Sequence, residues 1–331
     1  MRSNRFVAFA WATLAYNLVV VAWGAFVRAS GSGAGCGSHW PLCNGQVVPR
    51  GAHTATLIEF THRITSGIAL LLVVGLVVWA WRRFPRGHPA RLGAGVAMGF
   101  MISEALVGAG LVLLGLVADN SSVARAVVLG IHLVNTFFLL AFIALTAWWG
   151  SGRPRASLVE GGAVAALLLI AVIGTLVVGV AGAITALGDT LFPVASLATG
   201  VRQDFSATAH FLIRLRVLHP LLAIGLGFYL LAVAGVVRLH RPDATTRRLA
   251  SLVILLFFLQ LGIGTLNVVL MAPIWMQLVH LLMADVVWLT LVLLTASALA
   301  VRPATVTTPA SPRPSHRQPG YEPPVVTPAA R

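Results

Sequence analysis

Four histidines, His62, His132, His219 and His280, stand inside long apolar runs of a 331-residue chain that is 58% hydrophobic and only 10% charged. An imidazole at that depth is costly in lipid and usually serves a function. A lone one is more often a hydrogen-bonded packing residue, but four at matching depth form a pattern. Two imidazoles on facing helices are what axial ligation of a haem iron requires, with the iron held between helices of a bundle. The four read as two iron-binding pairs, His62 with His132 and His219 with His280. His210, nine residues before His219, falls about 180° away around a helix at about 100° per residue, so both cannot face one iron. His219 is the deeper and is the expected ligand, with His210 at the mouth.

The neighbours of these histidines differ in charge. Glu59 precedes His62 by three residues and Arg216 precedes His219 by three, and an i, i+3 pair shares a helix face. A carboxylate beside one iron site suits proton transfer or stabilisation of a developing cation, which makes Glu59 the catalytic candidate. The competing explanation is a carboxylate at a helix N-terminus, favoured by the macrodipole. A guanidinium suits an anionic propionate, the expectation for Arg216 and, beside His62, for Arg63.

Both cysteines, Cys36 and Cys43, lie in the glycine-rich loop GSGAGCGSHWPLCNGQ with six residues between them. On the outer side of a membrane thiols oxidise, so the pair is expected as a disulfide. It would be either a staple that orders the loop or a redox-active pair, small exposed disulfide loops being the labile kind. Two cysteines at this spacing are poor zinc ligands, and His39 and His53 read as solvated surface residues.

These groups need elements to hold them. Eight apolar segments are long enough to cross a hydrocarbon core: about Phe6 to Phe26, Ile58 to Trp81, Leu92 to Val117, Val123 to Trp149, Leu158 to Gly182, Ala207 to Val237, Leu249 to Met271 and Pro273 to Val301. The expected fold class is an all-α integral membrane protein of eight transmembrane helices, arranged as two tandem four-helix bundles. The first apolar run exceeds that of a signal peptide and reads as a retained span. Arg2 and Arg5, Arg82 to Arg91, Arg153 and Arg155, Arg238 to Arg248 and the tail from Arg302 all fall on one side, which the positive-inside rule makes cytoplasmic. Arg28, Arg50, Arg125 and Arg202 form a weaker set opposite. Both termini are then cytoplasmic and loop 28–57 is outside. The net charge of +14 comes from arginine alone and is spread between spans, which argues against nucleic-acid binding.

Self-similarity points to duplication. The first and fifth spans end alike, AWGAFVRASGSG against VVGVAGAITALGDT, and EALVGAGLVLLG in the third matches LQLGIGTLNVVL in the seventh. The implied units are residues 1–150 and 151–301 in the same orientation, joined by SGRPR. Residues 302–331 carry eight prolines and read as a disordered cytoplasmic tail.

The SGSG run (Ser30 to Gly33), the loop GCGSHWPLCNGQ, the IEFTHR motif (Ile58 to Arg63) and the histidines of the fourth, sixth and eighth spans together resemble the haem A synthase family, from Phe6 to about Val301. The resemblance implies a membrane haem-dependent oxidoreductase of the bacterial cytoplasmic membrane. It would oxidise the C8 methyl of haem O to a formyl by successive hydroxylations, giving haem A for cytochrome c oxidase assembly. It further implies substrate haem O between His62 and His132, catalysis by Glu59, haem b between His219 and His280, and a Cys36–Cys43 disulfide as in the Gram-positive-like branch. The farnesyltransferase that makes haem O is the partner expected from the family, while the electron donor and self-association as a homo-oligomer are left open. Two features depart from the family pattern: Pro220 follows His219 where an arginine is usual, and Gly188 to Phe205 carries no second cysteine pair. A membrane di-haem cytochrome b that only transfers electrons, or a haem transporter, would carry the same paired histidines.

Overall fold

The computed structural model describes residues 2–241 and 243–301; the expected disordered tail, residues 302–331, lies outside them. Residues 1–301 form one compact unit. Its helices are α1 (Arg2–Ala29), α2 (Thr54–Arg83), α3 (Pro89–Leu113), α4 (Val123–Gly150), α5 (Gly162–Leu191), α6 (Leu197–Asp204), α7 (Phe211–Arg214), α8 (Leu218–His240), α9 (Ala244–Val269) and α10 (Ile274–Ala298), with 3₁₀ turns at Ser32–Ala34 and Leu215–Val217. Eight stretches among them are long and apolar enough to span a membrane, α7 to α8 counting as one. Among the described residues there is no strand, only two isolated bridges. The protein is therefore an all-α, multi-pass membrane protein.

Local chemistry sets the helix ends. Ser122 caps α4 by accepting from the Arg125 amide at 3.2 Å, and Asp243 caps α9 by accepting from the Thr246 amide at 2.9 Å. That amide bond holds the Asp243 carboxyl below its ordinary range. The linker between α4 and α5 is tied down by Ser157 donating to the Leu299 carbonyl at 2.8 Å and Val301 to that of Arg155 at 2.9 Å.

Two boundaries differ from the sequence expectation. The fifth span runs to Leu191 rather than ending near Gly182, because Asp189 finds Arg216 at 3.0 Å and the late carbonyl of Ala186 is capped by Arg28 and Thr190. The sixth does not run unbroken from Ala207: a 3₁₀ turn over Leu215–Val217 precedes α8. Pro220 falls at the third residue of α8, directly after this 3₁₀ turn.

Without a hydrophobic drive between helices in lipid, close packing and small residues must hold the bundle. Ala10, Ala69, Ala80, Ala90, Ala94, Ala97, Ala144 and Ala147 are all buried between α1 and α4. Helix α4 is the axis of the molecule, its buried face shared by α1, α3, α5 and α10. Trp288 of α10 is 1% exposed, stacks on Phe137 of α4 at 5.1 Å and donates its indole N–H to the Phe137 carbonyl at 2.7 Å. A second core, including Leu168, Val233, Val253 and Leu294, joins α5, α8, α9 and α10. Leu71, Leu106, Phe228 and Leu239 are exposed and form part of the lipid-facing surface.

Helices α8 and α9 meet where Gly227 leaves room for Phe257: a Cβ on Gly227 would lie 1.9 Å from the ring. Gly225, two residues earlier, has nothing within 4 Å. Gly227→Ala is expected to cost about 1–3 kcal/mol through overpacking, while Gly225→Ala is neutral or stabilising by up to about 1 kcal/mol; thermal unfolding in detergent, read by intrinsic fluorescence, separates the two.

Candidate functional site

Each of the four intramembrane histidines lies against a glycine of the preceding span. A Cβ on Gly24 of α1 would meet the His62 ring at 2.9 Å, one on Gly182 of α5 the His219 ring at 2.9 Å, and one on Gly264 of α9 the His280 ring at 2.9 Å. Gly108 of α3 holds the same relation to His132 with more room, 3.9 Å. The bare backbones leave room for the Cε1 edge of each imidazole to approach the neighbouring helix. Three of the four offsets agree: Gly24 and Gly182 are 158 residues apart, His62 and His219 157, and Gly108 and Gly264 156, while His132 and His280 are 148 apart. That register fits a tandem duplication.

His219 and His280 face each other, ring centroids 6.2 Å apart and planes at 89°. Metal–imidazole bonds of about 2.0–2.1 Å on either side of one ion give roughly this spacing, so the separation suits an ion held between the two rings. The Nδ1 of His219 lies 3.2 Å from the Val178 carbonyl. Donation there selects the tautomer whose Nε2 lone pair is free, the form a metal needs. Gln260 of α9 reaches the same place, its amide donating to the His280 carbonyl at 3.1 Å and lying 3.4 Å from His280 Nε2. His210 is not brought to this pair. It caps α7, accepting from the Leu212 amide at 3.3 Å.

The Nδ1 atoms of His62 and His132 are buried and lack a formed hydrogen bond. That of His132 faces Glu104 of α3, whose Oε1 is 3.4 Å away. The Glu104 carboxylate is fixed by Thr136 Oγ1 at 2.5 Å and by the side-chain amide of Asn135, which also donates to the Phe100 carbonyl at 2.9 Å. Among the described residues no three His, Cys, Asp or Glu converge into a metal cage.

Glu59 is 3% exposed and lies in the second turn of α2, beyond the first turn where the macrodipole acts most strongly. Its Oε2 accepts from the Cys36 amide at 2.8 Å and its Oε1 pairs with Arg63 at 2.5 Å. Arg63 also donates to the carbonyls of His39 at 2.7 Å and Leu42 at 2.6 Å. Cys36 and Cys43 form a disulfide inside this loop. Gly35 lets the loop press on the start of α2, where a Cβ would fall 2.4 Å from the Ala55 carbonyl oxygen. The loop thus sits as a lid on α2, with Glu59 beneath it. His39 and His53 are exposed.

Arg216 does the comparable work on the other side with the charges reversed. It donates to the carbonyls of Gly188 at 2.6 Å and Phe192 at 2.7 Å and pairs with Asp189. Burial raises the carboxyl of nearby Asp204 above its ordinary value, opposed by Arg216. Arg28 ties α1 to this assembly through Thr190 at 2.7 Å and Gln277 of α10 at 3.0 Å, one turn above His280.

Sequence reasoning passed over Glu104, Gln260, Arg28 and Asp285. Asp285 is 0% exposed, and neither carboxyl oxygen has a partner. An ionisable residue inside an apolar span is the signal that could have found Glu104 and Asp285; the four glycines carry no such mark.

A family model described as cytochrome oxidase assembly protein matches residues 7–292. Two Thermus thermophilus proteins named protoheme IX farnesyltransferase are 53% and 52% identical to the chain over 296 residues, 89% of this chain and 49% of each relative. Proteins named heme A synthase are similar over shorter stretches. That of Halalkalibacterium halodurans is 34% identical over 145 residues, 44% of this chain and 47% of the relative; that of Geobacillus kaustophilus is 39% identical over 127 residues, 38% and 39%. The chain spans about half the length, or less, of these curated relatives.

Arg63 is the latch of the loop. Arg63→Ala is expected to cost the loop roughly 1.5–3 kcal/mol of local stability, as for lost charged hydrogen bonds, and to raise the rate of proteolytic cleavage within residues 37–50 by about tenfold or more, since opening limits cleavage. Arg50→Ala, at an exposed position, leaves that rate unchanged; limited proteolysis with mass detection measures both.

Proposed function

The chain belongs to the cytochrome oxidase assembly protein family, and on that premise we propose that it is a haem A synthase. It oxidises the C8 methyl of haem O to the formyl of haem A. Two hydroxylations of the methyl, each a two-electron oxidation that takes dioxygen as the terminal oxidant, give a geminal diol, which loses water to leave the aldehyde. The observation that carries the reading is the set of four intramembrane histidines, each against a glycine, with the buried Glu59 three residues before His62.

In this reading residues 1–150 hold the substrate, haem O, between His62 and His132, and residues 151–301 hold haem b between His219 and His280. Haem b supplies an electron carrier. The remaining work belongs to the side chains. Glu59, held by the Cys36 amide and Arg63, presents a fixed negative charge near the outer end of α2. There it can take up a proton or steady a developing positive charge on the substrate. Lid and disulfide exclude water from it. Arg63 and Arg216, engaged with carboxylates and loop carbonyls in this structure, are the groups within reach of propionates. The arginine distribution supports a bacterial cytoplasmic membrane location with both termini inside. The relatives named protoheme IX farnesyltransferase support a functional link to the enzyme that makes haem O.

Membranes of cells that make haem O, carrying either wild type or Glu59→Ala, provide the test by chromatography of extracted haems with mass detection. Wild type is expected to yield haem A, and Glu59→Ala at least about a hundredfold less, in the range for loss of general acid–base catalysis, with haem O or a hydroxylated intermediate accumulating. Retention of haem b alone, with no formyl product, would favour a di-haem electron-transfer cytochrome. His219→Ala and His280→Ala are each expected to remove haem b from the purified protein while haem O still binds.

A further inference from the structure

The two iron-binding pairs differ at one position set by the fold. Glu104 and Gln260 are 156 residues apart, the same offset as Gly108 and Gly264, which lie one turn beyond them on α3 and α9. Each side chain reaches the histidine on the next span, at different ring nitrogens: Glu104 Oε1 lies 3.4 Å from His132 Nδ1, and Gln260 Nε2 lies 3.4 Å from His280 Nε2. One is a carboxylate and the other a neutral amide.

The Glu104 carboxylate is held as a designed position would be. Thr136, one turn after His132 on α4, donates to Oε1 at 2.5 Å, Asn135 donates to Oε2, and Ser103 donates to the Asn135 side-chain oxygen. His132 Nδ1 is buried, faces Oε1 at 3.4 Å and has no other acceptor. A carboxylate that receives the Nδ1–H of a metal-bound imidazole fixes its tautomer and ring orientation and strengthens Nε2 as a donor. A stronger, more negative ligand set favours the ferric over the ferrous iron, since axial ligation and its supporting hydrogen bonds are levers on haem potential. Gln260 supplies no charge, and its Oε1 is itself unpartnered.

We propose that Glu104 is a positioning residue that sets the His132 imidazole and makes the iron at the His62–His132 site harder to reduce than the same environment with an amide, while Gln260 leaves the His219–His280 iron the easier to reduce. The proposal rests on the paired-histidine reading above. It deepens that reading by assigning the difference between the sites to one exchanged side chain.

The test is a spectroscopic redox titration of the purified, haem-loaded protein, with the two sites told apart by His132→Ala and His280→Ala. Glu104→Gln keeps shape and hydrogen-bonding capacity but removes the charge. It is expected to shift the first-site equilibrium about tenfold toward ferrous iron, a rise of about 59 mV for a one-electron couple, and to alter the low-spin ferric resonance signal of that site alone. Gln260→Glu is expected to move the second site about tenfold the other way, so a poorly folding Glu104→Gln would still leave a decisive arm. A loaded protein in which neither exchange moves either potential overturns the proposal. Loss of haem from neither site in the two alanine variants would instead overturn the paired-histidine reading, and this inference with it.

Discussion

The structure depends on one constraint: an imidazole inside a lipid-spanning bundle must be brought close to a neighbouring helix and have its polar atoms directed. Glycine meets the first demand. At Gly24, Gly182 and Gly264 a single methyl would strike the facing ring at 2.9 Å, so the helix pairs α1–α2, α5–α8 and α9–α10 approach as they do only because a side chain is missing. The second demand is met differently in each case, by the Val178 carbonyl for His219, by Glu104 for His132 and by Gln260 beside His280. Backbone proximity and ring orientation together make the paired arrangement possible.

Charge is handled at one rim of the bundle. Arg63, Arg125, Arg216 and Arg28 are buried or partly buried there, and each closes on carbonyl groups of an outer loop or helix end. Arg63 and Arg216 also pair with carboxylates. Breaking such a pair would leave an uncompensated charge in a poorly solvating place. The loops they hold are consequently part of the site's walls, and the Cys36–Cys43 disulfide lies in one of them.

The carboxylates divide by what surrounds them. Glu59 and Glu104 are each fixed by at least two donors near a histidine, whereas Asp285 has none. A fixed carboxylate has a stable direction and can act on one neighbour. Asp285 lies within the core that joins α10 to α4, three residues from Trp288, and nothing in the structure explains its presence there.

The amino-acid sequence by itself determined the eight spans, the all-α class, the four histidines and the disulfide loop, because hydrocarbon imposes length and apolarity on every span and makes each buried polar residue conspicuous. It placed Glu59 and Arg216 one turn from their histidines because i, i+3 spacing on a helix is a local property. The tertiary structure alone decided what is not local. It showed that Arg63 latches the loop, that α5 continues to Leu191 under Asp189 and Arg216, and that a 3₁₀ turn precedes α8 just before Pro220. It also brought Glu104 and Gln260 to equivalent histidines across helix pairs. Such contacts join residues 20 to more than 150 positions apart, and no periodicity within one segment encodes which helix its neighbour will be.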